Sequence, residues 1–230
     1  MSVARVEAIF LVPAAGAAPQ AVEEAAAVAG RGLEGDRYFA GEGTYYAADG
    51  SGNCMFDRSP GDLDVAAMNA VQYAGSAVCG ACATVMGPKG QVTVRIVDQC
   101  PGCKKGDLDL SPQAFDKIGE HSAGRIPITW SVVPCAVTGN VAYRYKEGSS
   151  QYWTAIQVRN HRLPIASLEL QRDGAWMKVN RESYNYFVAP GGAGPGPVTV
   201  RITALDGQTR EDTLPAVASG TVVQGAGQFN

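Results

Sequence analysis

The sequence has no basic excess: 19 Lys and Arg face 22 Asp and Glu, for a net charge of −3 and a pI near 5.4. A surface that grips phosphodiester backbones needs positive charge, so nucleic acid is not the expected partner. No apolar run approaches the roughly 18 residues that cross a bilayer, so no membrane-spanning helix is expected. Long helical periodicity is missing as well. The 28 Gly and 13 Pro are spread through the chain, which suits short strands joined by turns. Cysteine is absent from the 95 residues after Cys135, whereas all six cysteines lie between Cys54 and Cys135. The last third must then hold together by packing alone, and that asymmetry predicts two domains. Clustered, even-numbered cysteines in the first point to disulfides and an oxidising compartment.

Residues 1–42 read differently from the rest. Val6–Ala15 is apolar but short, is broken by Glu7 and Pro13, and has little basic charge before it, a poor match to a secretory signal. The stretches VEAIFLVP (Val6–Pro13) and GLEGDRYFAG (Gly32–Gly41) resemble the opening of a molybdenum-cofactor sulfurase C-terminal (MOSC) domain, without the rest of that barrel. Residues 1–42 are therefore expected to be a disordered leader, from a fusion or a misassigned start, with no function of its own.

From Gly43 onward β signals dominate. Gln91–Val97 (QVTVRIV) and Ile126–Val132 (IPITWSV) alternate apolar with polar residues, as half-buried strands do. Between them Ser111 can cap a helix, Pro112 suits its first position, and Phe115 and Ile118 share a face. A short helix on a small β-barrel fits 43–136. The turn Val137-Thr138-Gly139 marks a boundary whose linker is too short for much relative motion. Beyond it, strand-like runs recur about every ten residues: Val141–Tyr145, Trp153–Arg159, Ile165–Gln171, Trp176–Val179, Tyr186–Ala189, Val198–Ala204 and Glu211–Leu214. Asp173-Gly174 and Asp206-Gly207 sit where hairpin turns belong. With no helix signal, 140–230 reads as an antiparallel β-sandwich. Trp130 and Trp176 lie in alternating runs and read as core.

Cys79-Gly-Ala-Cys82 and Cys100-Pro-Gly-Cys103 are two CxxC pairs separated by 17 residues, the spacing of a four-thiolate zinc site. That reading leaves Cys54 and Cys135 over, and disulfides use the same residues; spacing alone leaves both open. Asp98, Asp107 and Asp109 crowd the segment leaving the strand Gln91–Val97. Asp107 reads as a turn cap. Asp109, between Leu108 and Leu110, falls on the face opposite the core. Counting by twos from Trp153 gives Ala155, Gln157 and Arg159, a largely polar set that turns Trp153 outward. The same count puts Tyr152 with Thr154, Ile156 and Val158, the buried set.

Several segments together resemble the bacterial expansins. GEGTYY (Gly41–Tyr46), VDQCPGCKKGDLDLSPQAFDKIG (Val97–Gly119) and IPITWSVVPC (Ile126–Cys135) are similar to their first domain. TGNVAYRYKEGSSQYWTAIQVRNHRLP (Thr138–Pro164) and SYNYFV (Ser183–Val188) are similar to their second. The likeness runs in order over about 41–230. It implies a mostly β chain: a six-stranded double-psi β-barrel related to family-45 glycoside hydrolases, then an immunoglobulin-like domain that binds cellulose. It also implies the bridges Cys54–Cys79, Cys82–Cys135 and Cys100–Cys103, no zinc and no other cofactor. The Cys82–Cys135 bridge closes a loop of about 50 residues, worth on the order of 4 kcal/mol.

The resemblance carries Thr44, Asp98 and Asp109 over to the groove of the first domain, with Asp109 at the position of the hydrolases' catalytic acid. A second carboxylate to activate water is not evident, so non-hydrolytic loosening of the wall by glucan binding is the implied function. A weak endoglucanase or lytic transglycosylase on the same barrel, or a binding module alone, are the alternatives. Tyr152, Trp153 and Tyr184 match the three aligned aromatics of the second domain, and Lys146 a position beside them. This requires Tyr152 to stand in the loop before its strand, against the alternation. Two departures stand out. Cys100 replaces a tyrosine of some bacterial members, so Tyr45 or Tyr46 would have to serve that end of the groove. Tyr152 replaces a larger Trp, which weakens stacking by about 1 kcal/mol. The implied partner is cellulose with its associated glucans; the implied state is a secreted, extracellular monomer. Without a basic surface, binding to acidic wall polymers is expected to be weak and insensitive to salt.

Overall fold

The computed structural model describes residues 38–230 together with the backbone of four short earlier strands, Ile9–Leu11 paired with Gln20–Val22 and Ala27–Val28 paired with Gly32–Leu33. The rest of the expected leader lies outside the described residues. The first domain begins inside the span assigned to that leader, at Phe39, four residues earlier than the sequence reading had it. Phe39 pairs with Trp130 and its ring packs 4.5 Å from the indole, so apolar burial fixes the start.

Strands β1 (Phe39–Tyr45), β2 (Val65–Asn69), β3 (Cys82–Gly87), β4 (Gly90–Cys100), β5 (Leu108–Leu110) and β6 (Ile126–Val133) close into a barrel in the order β6-β1-β5-β2-β4-β3. The pairings β1–β5 and β2–β4 are parallel and the others antiparallel. Val94, Ile96, Leu108, Leu110, Ile128 and Trp130 fill the interior. Two short helices, α1 (Ala70–Tyr73) and α2 (Pro112–Ile118), accompany the strands. In α2 the Ser111 hydroxyl accepts from the Ala114 N–H, Pro112 opens the helix, and Phe115 and Ile118 are buried, as the capping pattern predicts.

The second domain has eight strands: β7 (Ala142–Tyr145), β8 (Thr154–Arg159), β9 (Ile165–Arg172), β10 (Ala175–Arg181), β11 (Phe187–Ala189), β12 (Val198–Ala204), β13 (Thr209–Leu214) and β14 (Val222–Gln224). They pair antiparallel in the order β13-β12-β9-β10-β11-β8-β7-β14, and β10 joins the two halves. The halves enclose one core: Tyr143, Ile156 and Phe187 from one meet Leu168, Val200 and Leu214 from the other. Both predicted hairpins turn at their Asp-Gly pairs, with Asp173, Gly174 and Gly207 at the positive φ such turns need. The strand β14 had no pattern strong enough to be read.

Trp176 is not core. It lies half-buried on the outer face of β10 under the Arg201 guanidinium, 4.4 Å from its ring. Gln171, its partner across the ladder, is exposed on the same side. The run around it alternates, but in the opposite phase, because Val179 is the residue that enters the core.

A dense seam joins the domains. Gln157 donates to the carbonyls of Cys54 (2.8 Å) and Met55 (3.2 Å), and Asn185 donates to Cys54 (3.2 Å). Tyr73 and Asn53 both donate to the Ser183 carbonyl at 2.9 Å, and Ser76 to that of Glu182 at 2.8 Å. Asp57 bridges Arg144 and Arg159 at 2.6 Å each. All six cysteines are paired as Cys54–Cys79, Cys82–Cys135 and Cys100–Cys103, so none is left as a thiolate ligand.

Candidate functional site

One row of residues crosses the outside of the barrel. Thr44 on β1 pairs with Asp109 on β5, Asp109 pairs with Ala67 on β2, and Ala67 pairs with Asp98 on β4. Directly paired residues share a face. Their neighbours Leu108, Leu110, Ala66 and Ile96 fill the core, so this row faces outward. Asp109 is thus where its alternation between two leucines put it.

Asp98 reaches that row through a defect. Val92, Val94 and Ile96 alternate inward along β4, and a regular strand would send Asp98 inward after them. The register shifts between Ala66 and Ala67, leaving Val97 without a partner opposite and turning Asp98 outward. Such a bulge re-aims a side chain at the cost of one ladder position. Ala67, buried under the row, keeps the space between the two carboxylates open.

The two acids are held differently. The Thr44 hydroxyl donates to Asp109 Oδ1 at 2.5 Å. Burial, and next the negative charge of Asp98, push the Asp109 carboxyl above the usual carboxylate range, against the hydrogen bond from Thr44 and the charge of Arg125. Asp98 Oδ1 accepts from the backbone N–H groups of Asn53 (2.7 Å) and Gln99 (2.8 Å). Gly52 packs so tightly against Asp98 that a Cβ there would lie 2.4 Å from its carboxyl carbon. Asp107 serves structure, as expected: its oxygens accept from the N–H groups of Glu42 and Lys104, both at 2.9 Å.

Sequence reasoning left Tyr45 and Tyr46 open. Tyr45 packs on Phe115 and the barrel core. Tyr46 belongs to the groove: its hydroxyl is buried with no hydrogen-bond partner among the described residues. Burial first, then the charges of Asp98 and Asp109, raise the phenol far above its ordinary value. It follows Thr44 by two residues just past the end of β1, and that spacing was the available signal.

On the sandwich, Tyr152 is 76% exposed. It stands in the turn before β8, where Ser150 bridges to Trp153, so the loop position decides its exposure and the alternation does not. Trp153 and Tyr184 are half-buried, and the Tyr184 ring lies 6.1 Å from that of Tyr186. Lys146 places its ammonium 5.9 Å from the Tyr186 ring. The face counted from Trp153 is not solvent along its length. Ala155 and Gln157 are fully buried, because the barrel docks there, and only its Trp153 end runs clear. Ser183, next to Tyr184, takes the Asn53 side-chain bond while the Asn53 backbone holds Asp98. The acid row and the aromatic cluster are therefore tied through one residue.

Residues 39–130 match the lytic transglycolase family model. Over 187 residues the chain is 42% identical to Expansin-YoaJ of Bacillus subtilis, covering 79% of this chain and 80% of that protein. It is 33% identical to expansin-like protein 1 of Dictyostelium discoideum over 201 residues, covering 81% of this chain and 70% of the other. A crystal structure of an apo expansin from Clavibacter michiganensis superposes with a TM-score of 0.78 at 36% identity, covering 84% of this chain and 98% of that one. A mutant of that expansin in complex with cellohexaose superposes equally well, at 35% identity with the same coverage.

Proposed function

The chain belongs to the expansin family, and from that premise we propose that it loosens plant cell walls by gripping cellulose and parting its chains without cutting them. The observation that carries this is the hydrogen-bonded tie between an acid-lined groove and a cluster of rings, Tyr152 exposed and Trp153 and Tyr184 half-buried. A flat glucan offers axial C–H groups to Tyr152, Trp153 and Tyr184, which stack on successive sugars. Asp109, held by Thr44, accepts a glucan hydroxyl and so competes with the bond that hydroxyl makes to its neighbour. Lys146 reaches a hydroxyl at the edge of the platform.

Hydrolysis would require a base free to take a proton from water. Asp98 Oδ1 is committed to two backbone donors. Asp49, the next carboxylate near Tyr46, accepts from Ser51 and pairs with Arg58 at 2.6 Å. We read the protein as a non-enzymatic, secreted monomer that takes neither nucleic acid nor a cofactor; three disulfides fit an oxidising compartment.

A hydrolase reading has one observation in its favour. Asp98 and Asp109 stand two strands apart on one outer face, and glycosidases work with a pair of carboxylates. Creep of heat-killed plant cell wall under constant load, with reducing sugar assayed in the same bath, tests both. Creep without sugar release is the expected result. Sugar release would make Asp98 a base and the protein a hydrolase. Cellulose binding with neither would leave a binding module.

A further inference from the structure

Away from the groove, a cleft of about 300 Å³ opens at the seam between barrel and sandwich. Phe56, Ser59, Gly80 and Arg95 line it from the barrel, Arg159 and His161 from the sandwich. Its cations and anions are unequally placed. The Arg95 and Arg159 side chains form the walls, 24% and 15% exposed, while Asp62 and Asp57 stand at the rim, 62% and 63% exposed. The lining charges balance, Arg95 and Arg159 against Asp57 and Asp62, while Arg144, outside the lining, takes the other oxygen of Asp57. Arg95 is the least committed of the three guanidiniums. Its Nη2 makes only long contacts, 3.3 Å each, to Ser59 Oγ and Asp62 Oδ2, and its other nitrogens bond no described side chain.

Acceptors complete the lining. His161 is buried, and its Nδ1 lies 2.8 Å from the Leu163 carbonyl, which can only accept. The proton therefore sits on Nδ1, and Nε2 is left as a lone-pair acceptor. Gly80 lies against it at φ +77, and a Cβ there would come within 2.6 Å of Nε2 and 3.1 Å of Phe56. The glycine keeps this wall of the cleft open.

We propose that the seam cleft is a second carbohydrate site, for a terminal or branch hexuronate whose carboxylate pairs with Arg95 and whose hydroxyls meet Ser59 and His161. The weakly engaged donors of Arg95 call for a carboxylate, which a guanidinium meets with two parallel N–H groups. The mixture of donors and a neutral acceptor calls for hydroxyls beside the carboxylate. A cleft rather than an open groove takes a chain end or a branch. This recognises one charged sugar at close range and needs no basic surface, so it operates in a chain of net charge −3. It is independent of the glucan groove.

The test is calorimetric titration of the full chain with D-glucuronate and D-galacturonate, beside D-glucose and acetate. One hexuronate at least is expected to bind saturably, with glucose and acetate each at least about tenfold weaker. Arg95→Gln should abolish that binding, while Trp153→Ala should leave it unchanged. Asp62→Asn is the decisive variant. It removes the rim carboxylate that competes for Arg95, and the Asp62 side chain makes no other bond among the described residues. It should tighten hexuronate binding several-fold without disturbing the fold. No saturable hexuronate binding, acetate binding as well as the hexuronates, or an Asp62→Asn variant that binds no better would each overturn the site.

Discussion

Replacing Asp109 with asparagine separates function from stability, because the two should move in opposite directions. The substitution keeps the shape of the side chain and an oxygen for the Thr44 hydroxyl, and it removes only the charge. A hydrogen bond to a charged acceptor contributes about 1.5–3 kcal/mol against about 0.5–1.5 for a neutral one. The glucan contact should therefore weaken by about 1.4 kcal/mol, a roughly tenfold loss in creep rate. Stability runs the other way. Burial raises the Asp109 carboxyl in the folded chain above its unfolded value. Keeping it ionised then costs folding free energy, a cost that grows as pH rises from the unfolded to the folded pKa and stays constant above. The neutral amide of Asp109→Asn carries no such cost, so the variant should melt higher than wild type at pH 7, an advantage that vanishes below the unfolded pKa. The same sign governs wild-type activity. The ionised carboxylate is the stronger acceptor, so creep should weaken with acidification sooner than an ordinary carboxylate would dictate. Creep under constant load, with calorimetric melting at pH 7 and pH 3, measures both. Unchanged creep, or a lower melting temperature at pH 7, would refute the assignment of Asp109 to the glucan contact.

Tyr152→Ala and Trp153→Ala should each weaken binding to crystalline cellulose by about 1 kcal/mol or more, several-fold in a depletion assay. Because Tyr152 is 76% exposed, its loss should leave the melting temperature unchanged. Gln157→Leu should strand the Cys54 and Met55 carbonyls at the seam, costing about 1–3 kcal/mol; calorimetry should then resolve two unfolding transitions where the wild type shows one. His161, buried and neutral, has its pKa lowered to about 4 from 6.5 by burial. Its unfolded form binds the proton first, so stability present above pH 6.5 should be lost as pH falls through 4, by up to about 3 kcal/mol. Stability curves of His161→Gln should be flatter across that window.

The fold was legible where one side of an element faces core and the other water. Ser111 and Pro112 placed α2, the Asp-Gly pairs placed two hairpins, and Leu108-Asp109-Leu110 turned Asp109 outward. Disulfide pairing was not legible in spacing, which served zinc equally well; the family likeness decided it, and the bridges lie where that likeness put them. Cystine chemistry leaves no trace in sequence spacing when strand topology brings distant residues together.

Alternation failed in four places: Tyr152 belongs to a turn and not to the strand that follows, and at the other three something other than water covers the residue or the strand itself changes phase. At Trp176 the cover is Arg201, which lets an indole sit on an outer face. At Asp98 a bulge reverses the phase, so the second groove acid stands where a regular strand would bury it. At Ala155 and Gln157 the cover is the barrel itself. A polar residue such as Gln157 reads as solvated in any pattern count, yet it is fully buried because its amide meets the carbonyls of a loop a hundred residues away. The seam that hides it also brings Asn53 between Asp98 and Ser183. A polar face in a strand of one domain was thus an interface written in hydrogen bonds. That interface holds the acid row beside the aromatic platform, and a single glucan chain must meet both for the proposed loosening to work.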